Sequence, residues 1–546
     1  MLGRDAVAKV LKAEGVEYLA CFPNNAILEG AAMEGIRTIV ARTERVAVNI
    51  SDGMSRVSAG KKIGVCAVQY GPGTENAFGG IAHAWADASP VLMLPTGFER
   101  ERHGIPPNFE AVRNYQAVTK WVAVASFAHR IPQMMRRAFT LMKNGRPGPV
   151  VLEVPVDVIK EEMPDAAFEY APAPRIRSLA DPADVKEAAR ILLAAKAPVI
   201  VAGQGVLYAG AAEALTQFAE LVQVPVLTTL CGKSAFPEDH PLALGTGGLS
   251  GPKMVEHFRQ KADVVFGIGT SFTRSVFVVP IPASKTIVQV TNCEDDINKD
   301  YPIAHAVVGD AHAVLRQLID EVGRQAGANG RRGETTAARE VKAVRDEFMR
   351  EWGPRLTSDA VPISPYRVIG DLAQTVDRRR TIVTHDSGNP RDQVVPFYEA
   401  IVPHGYIGWG KSTPLGAGLG LAIGAKLAAP DRLVVNIMGD AAFGMVGMDF
   451  ETAVRCKIPI LTILLNNSLM GGYAKYLPVS TERYGARFLS GDYAMVAEGL
   501  GGYTERVEKP HEVVPALRRA IAETEGGRAA LLEFITREEP EYPKYW

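Results

Sequence analysis

Two apolar runs in the last third of the chain end on oxygen-bearing side chains. "LVVNIMGD" stops at Gly439 and Asp440, and "IPILTILLNN" stops at Asn466 and Asn467. Short β-branched runs of this kind read as buried strands, so the two ends are expected to lie side by side. One carboxylate, one amide oxygen and a backbone carbonyl suit a hard cation such as Mg2+, which keeps phosphate oxygens and water in its remaining positions. Ala441 and Ala442 follow Asp440 into a helix, and small residues let backbone N–H groups approach a phosphate closely. The expected ligand is a metal-bound diphosphate. Taken alone, "GDAAF" fits equally well a strand ending in a turn, with Asp440 capping the next helix.

A second phosphate-binding pattern lies close by. "GYIGWGKS", Gly405 to Ser412, has the spacing G-x-x-x-x-G-K-S. Such a loop follows a buried strand and opens a helix at its lysine. Here Pro403 interrupts the preceding run and Pro414 follows Lys411. A P-loop nucleotide-binding protein therefore stays as a remote alternative.

These residues need elements to hold them. A stretch rich in Pro, Ala and charge around 161–184, and one rich in Gly and polar residues around 323–344, read as linkers. They mark off expected domains at 1–165, 183–325 and 355–546. Within each, β-branched runs such as "IGVCAV", "ADVVFGIG" and "RTIVTHD" alternate with helix-like stretches. That alternation implies βαβ units, so the expected fold is α/β with three consecutive doubly wound parallel-sheet domains. Ligands of such sheets sit beyond the carboxyl ends of strands, which is where Asp440 and Asn467 stand.

Composition narrows the partners. The 546 residues are 47% hydrophobic and 22% charged, ordinary for a globular protein with large cores. A formal net charge of −1 lacks the basic stripe of a nucleic-acid binder. No apolar run reaches the ~18 residues needed to span a membrane, and the N-terminus lacks a signal-peptide core. Five scattered cysteines without CxxC spacing suggest neither a disulfide framework nor a zinc site. A cytoplasmic protein with a small-molecule substrate is expected.

"GDA", then 24 residues, then "NN" resembles the cofactor motif of thiamine diphosphate enzymes. "ARTERVAVNISDGMSR" resembles the family's glutamate-bearing helix, with Glu44 as the glutamate. "QYGPGTENAFGGIAHAWADASPVLMLPTG" resembles its substrate loop, "GRPGPVVLEVPVDV" the end of its pyrimidine domain and "TTLCGKSAFPEDHPLALG" its central domain. "GWGKSTPLGAGLGLAIGAK" resembles the segment leading to the metal-binding strand, which accounts for the phosphate-loop spacing. The motifs are collinear over nearly the whole chain. They are most similar to the acetolactate synthase-like branch, which also holds benzoylformate decarboxylases, oxalyl-CoA decarboxylases and 2-hydroxyacyl-CoA lyases.

The resemblance implies a pyrimidine-binding, a central and a diphosphate-binding domain, with thiamine diphosphate and Mg2+ as cofactors. It assigns Asp440, Asn467 and the carbonyl of Leu469 to the metal. Asn389, Gly439, Ala441, Ala442 and Met470 are assigned to the cofactor, and Leu415 to the aliphatic wedge beneath its rings. Glu44, expected in a dry site, hydrogen-bonds the pyrimidine ring. Gln69 and Asn25 match substrate-facing positions. His103, in the loop-like "FERERHGIPPNFE", is a further candidate for the pocket, whereas His83 reads as a core histidine. Tyr473 and Tyr476 follow a Gly471–Gly472 hinge suited to a lid.

In relatives the cofactor spans two subunits, so the resemblance implies self-association with active sites at a dimer interface, in a homotetramer. The implied activity is 2-oxo acid decarboxylation and carboligation, with 2-hydroxyacyl-CoA or oxalyl-CoA chemistry as the alternative. This sequence departs from the pattern at four positions. Asn24 replaces a glycine, and Ala441 replaces the commoner glycine of "GDG". Tyr476 stands where biosynthetic acetolactate synthases carry tryptophan, and Ser271 where they carry a flavin-linked arginine. The last two leave FAD and acetolactate formation open.

Overall fold

The computed structural model describes residues 1–23, 25–331 and 336–546, and the side chain of Asn25 falls outside that description. Asn24 lies outside it as well. Three six-stranded sheets follow one another along the chain, and every pairing within them is parallel. The first holds β1 (Tyr18–Phe22), β2 (Arg37–Val40), β3 (Gly64–Val68), β4 (Val91–Gly97), β5 (Trp121–Val124) and β6 (Val150–Pro155). The second holds β7 (Val199–Ala202), β8 (Val226–Thr229), β9 (Ala243–Gly247), β10 (Val264–Ile268), β11 (Thr286–Thr291) and β12 (His305–Val308). The third holds β13 (Thr381–His385), β14 (Tyr406–Ile407), β15 (Leu433–Gly439), β16 (Leu461–Asn466), β17 (Tyr503–Val507) and β18 (Ala530–Ile535).

The strand order is β2-β1-β3-β4-β6-β5 in the first sheet and β14-β13-β15-β16-β18-β17 in the third. These are the same topology. The middle sheet runs β12-β11-β10-β7-β8-β9, the order 3-2-1-4-5-6 read from its far edge, with its switch point between β7 and β10. Central strands such as β3, β4 and β10 are buried along their whole length, because helices cover both faces of each sheet.

The first and third domains share one hydrophobic core. Val46 and Ile50, from the helix Glu44–Val57, pack into the same cluster as Leu421, Ile423 and Phe443. That helix crosses the helix Ala417–Ala428 at backbone contact. A Cβ on Gly53 would overlap the carbonyl oxygen of Leu421, and one on Gly424 that of Ile50. The glycines of "GLGLAIGAK" thus let two helices approach more closely than side chains would allow.

The second expected linker, around 323–344, runs at its end into a 20-residue helix, Ala337–Leu356. Val341, Val344, Phe348 and Trp352 bury one side of it in a cluster with Val255 and Phe258 of the central domain and Tyr366 of the last. Its polar face carried the expected linker on past residue 336, although its four apolar residues recur at helical spacing. Among the described residues no helix is long and apolar enough to cross a membrane.

Candidate active site

The carboxyl edge of the third sheet gathers one group of residues. Gly439 pairs with Leu465 across β15 and β16, so Asp440 and the Asn466–Asn467 pair leave the sheet together. The two amides then diverge. Asn466 is buried, donates to Glu533 Oε1 at 2.7 Å and accepts the Ser468 N–H at 2.9 Å. Asn467 lies outside the sheet and accepts the Leu469 N–H at 3.1 Å. Ser468, which follows them, takes a positive φ of 56°, and Met470 N–H donates to the Arg487 carbonyl at 2.7 Å. This turn is therefore pinned to the chain behind it. Asn389 reaches the same crevice, because a Cβ on Gly471 would come within 2.6 Å of its Nδ2. Its neighbour Pro390 is the nearest atom to the open side of Gly439, at 3.7 Å from a built Cβ.

Asp440 is 3% exposed. Its Oδ1 accepts the Ala441 N–H at 2.8 Å, and its Oδ2 is buried with no hydrogen-bond partner among the described residues. Burial pushes this carboxyl up, against the backbone N–H groups of Ala441, Ser468 and Leu469. A buried, unpartnered carboxylate oxygen is costly unless a cation completes it. Among the described residues no group of three or more His, Cys, Asp or Glu side chains is placed to hold a metal ion, so a zinc-type donor set is not present there. One carboxylate, an amide and a carbonyl fit a hard cation that takes further oxygens from a diphosphate. The N–H of Ala441, expected to face the phosphate, is taken by Asp440 itself.

A second group forms in the first domain. Thr43 caps the helix Glu44–Val57 by accepting the Val46 N–H, which places Glu44 at its first position, 5% exposed. Gly73 brings Glu44 and Gln69 together. A Cβ there would lie 2.8 Å from Gln69 Cγ and 3.4 Å from Glu44 Oε1. Asn76 donates to Glu44 Oε2 at 3.4 Å. His103 stands further off, with Nε2 3.2 Å from the Phe98 carbonyl and 3.4 Å from Glu153 Oε1. The Phe98 ring packs on Tyr70 at 4.8 Å, and its tip lies 3.8 Å from a Cβ built on Gly71. Asn25 opens the helix Asn25–Met33. No hydrogen bond or ion pair joins Glu44 to Asp440, Asn467 or Asn389 among the described residues. Tyr473 and Tyr476 are 46% and 69% exposed, with ring centroids 6.4 Å apart.

Sequence reasoning missed the residue that sets Leu415. Asp386 is fully buried; it accepts the N–H of Gly416 at 2.9 Å and of Gly418 at 2.8 Å. Gly416 takes a φ of 88°, which turns the chain from Leu415 into the glycine-rich helix. Leu415 itself is half-buried against the core shared by the first and third domains. "TIVTHD" ends in Asp386 just as "LVVNIMGD" ends in Asp440, so the strand-end signal was present. His83 is buried in the core, 3.4 Å from Asp87 Oδ2 and 3.9 Å from Asp52 Oδ2.

Asp449 joins the two domains at the base of the Glu44 helix. It is fully buried, accepting the Arg42 N–H at 2.7 Å and the hydroxyls of Thr43 and Thr452. Burial pushes its carboxyl up to about 6. The folded-state value is raised, so its contribution to stability is fully present below about 4 and is lost as pH rises through about 6, on the order of 3 kcal/mol in all. Between pH 4 and pH 7 the melting temperature of Asp449→Asn should therefore gain on that of the unmodified protein. A gap that stays constant with pH would reject the assignment.

Comparison with known proteins defines the class. Residues 1–118 match the thiamine pyrophosphate enzyme N-terminal TPP binding domain, 185–318 the central domain and 386–534 the C-terminal TPP binding domain. The chain belongs to the thiamine pyrophosphate enzyme family and is a thiamine diphosphate-dependent enzyme. It is 31% identical over 554 residues to a probable acetolactate synthase large subunit of Methanocaldococcus jannaschii, covering 96% of this chain and 90% of that one. It is also 31% identical over 541 residues to glyoxylate carboligase of Escherichia coli O157:H7, covering 95% and 90%. The fold matches the crystal structure of benzoylformate decarboxylase from Polynucleobacter necessarius, with a TM-score of 0.83, 21% identity and full coverage of both chains.

Proposed function

We propose that this enzyme is a thiamine diphosphate- and Mg2+-dependent decarboxylase and carboligase of 2-oxo acids. The observation that carries the reading is the buried, unpartnered Oδ2 of Asp440 beside the Asn467 turn, set in a domain with the topology of the one that buries Glu44. When bound, thiamine diphosphate supplies an electron sink through which a 2-oxo acid loses carbon dioxide or two carbonyl carbons are joined.

The chain's own residues bind, orient and move protons. Asp440, Asn467 and the Leu469 carbonyl hold the metal, with Asn389, Gly439, Ala441, Ala442 and Met470 around the diphosphate. Leu415 supports the rings. Glu44 holds a hydrogen bond at the pyrimidine nitrogen from a site that excludes water. Gln69, which meets Glu44 across Gly73, serves the substrate together with Asn25, and His103, at the Phe98 carbonyl, is a proton carrier. The smallest active unit is a dimer, in a homotetramer, with Glu44 of one chain serving the diphosphate site of its partner. The domains run over 1–165, 183–325 and 355–546. Five free cysteines suit a reducing, cytoplasmic setting.

The enzyme loaded with Mg2+ and thiamine diphosphate, given pyruvate, glyoxylate or benzoylformate, should release carbon dioxide and, with an aldehyde present, form a carboligation product. Turnover of oxalyl-CoA or a 2-hydroxyacyl-CoA alone would move it to the CoA branch. A cavity at the switch point of the central sheet is lined by Gly203, Gly269 and Ser271, with Arg146 and Lys411 at its polar side. The visible spectrum of the purified enzyme shows whether flavin fills it.

Co-expression of Glu44→Gln with Asp440→Asn tests the shared site. Each hybrid dimer keeps one intact site, so random pairing should restore about a quarter of full activity. No recovery in isolated hybrids would mean that both residues serve the same site within one chain.

A further inference from the structure

The loop Gly405–Ser412 has the spacing of an anion-binding loop, and the structure shows which anion it holds. Asp87 closes the helix Pro72–Ala86 of the first domain, and its side chain is fully buried. Its Oδ1 accepts the N–H of Gly410 at 3.1 Å and of Lys411 at 3.0 Å; its Oδ2 accepts Gly410 N–H at 3.0 Å. A carboxylate from the first domain thus sits where successive backbone N–H groups would hold a phosphate.

Arg56 completes the arrangement. It lies on the helix that begins with Glu44 and forks onto Asp52, with Nε to Oδ1 at 2.7 Å and Nη2 to Oδ2 at 2.9 Å. Nη2 also donates to Asp87 Oδ2 at 3.1 Å, and Nη1 to the Gly408 carbonyl at 2.6 Å. His83 Nε2 stands 3.4 Å from the same Oδ2. Lys411 contributes only its backbone here, because its Nζ turns to Ser271 Oγ at 3.2 Å in the central domain. One buried network therefore grips Gly408, Gly410 and Lys411 from the Glu44 helix and its neighbour. Four residues beyond Lys411 comes Leu415, and Asp386 then fixes Gly416 and Gly418. The segment is clamped at both ends by carboxylates, one from each domain.

We propose that Asp87 is a positioning residue that sets the Leu415 segment against the helix carrying Glu44. The inference rests on the roles given above to Leu415 and Glu44. Asp87 touches neither cofactor nor substrate; it acts through the loop amides and Arg56.

Asp87→Asn tests it with little change of volume, because its amide presents a donor to Arg56 and Gly410 where an acceptor is needed. In the folded, Mg2+-loaded variant, the Kd for thiamine diphosphate should rise about tenfold and kcat should fall on the order of 10²-fold, while KM for the 2-oxo acid stays within about twofold. Hydrogen exchange over residues 408–416 should quicken while β13, β15 and β16 keep their protection. A role in folding alone would lower the melting temperature and leave Kd and kcat of the folded enzyme unchanged, which would overturn the proposal.

Should the variant fail to fold, hydrogen exchange on the unmodified, cofactor-free enzyme decides. The Gly410 and Lys411 amides are expected to exchange as slowly as the sheet core, and exchange at the rate of an open loop would overturn the clamp. Failure of the unmodified enzyme to bind thiamine diphosphate would instead overturn the functional reading, with the exchange result still testing the clamp.

Discussion

Glu44→Gln should lower kcat by about 10²–10⁴-fold, the range expected when a positioned acid–base group is lost, while Mg2+-dependent binding of thiamine diphosphate persists. The physical case is local. Glu44 is the first residue of a capped helix, nearly inaccessible, with Gly73 removing any side chain from the space before it. Glutamine has the same shape and can keep the contact with Asn76 Nδ2 through its carbonyl oxygen. It cannot take up or share a proton. The loss should therefore fall on kcat rather than on cofactor affinity, and the fold should be retained. Stopped-flow turnover together with titration of the cofactor separates the two quantities. Turnover at the unmodified rate would falsify the role given to Glu44.

Asp440→Asn should act in the opposite way, on binding first. The substitution keeps an oxygen for the Ala441 N–H and replaces the unpartnered Oδ2 by an amide. It removes the one carboxylate from a donor set otherwise made of an amide and a carbonyl. Affinity for Mg2+ and thiamine diphosphate together should drop on the order of 10²-fold. At a concentration 100 times its Kd, the cofactor stabilises the unmodified enzyme by about 2.7 kcal/mol. The variant should gain only about 0.4 kcal/mol at that concentration, so its rise in melting temperature should shrink to a small fraction of the unmodified enzyme's. A thermal-shift titration with and without chelator reads this directly, and an undiminished rise in the variant would remove Asp440 from the metal site. Opposite signatures in the two variants, rate lost in one and affinity lost in the other, follow from placing the residues on different domains.

Much of this architecture is legible in local pattern. Central strands such as β15 and β16 are mostly apolar because both faces are covered, with Asn436 and Thr462 as interior exceptions, and each run stops abruptly at a polar residue. Edge strands are less visible. Trp121–Val124 is half-buried throughout and Tyr503–Val507 mixes Glu505 and Arg506 into its run. The second shows no continuous apolar signal, because only part of an edge strand is covered. The helix Ala337–Leu356 is hidden in the same way by its polar exposed face.

By itself the sequence determined the α/β class, the three sheets and the strand ends that carry Asp440 and Asn467, since these depend on the period of apolar residues along a few turns of chain. Only the tertiary structure decided that Asn466 turns inward to Glu533 while Asn467 turns outward, and that Gln69 meets Glu44 across Gly73. It also decided that Asp386 fixes the turn after Leu415, and that the phosphate-like loop holds Asp87. The last of these joins residues 323 positions apart. A buried carboxylate takes whichever N–H groups the packed domains bring to it, and no local pattern of residues encodes that encounter.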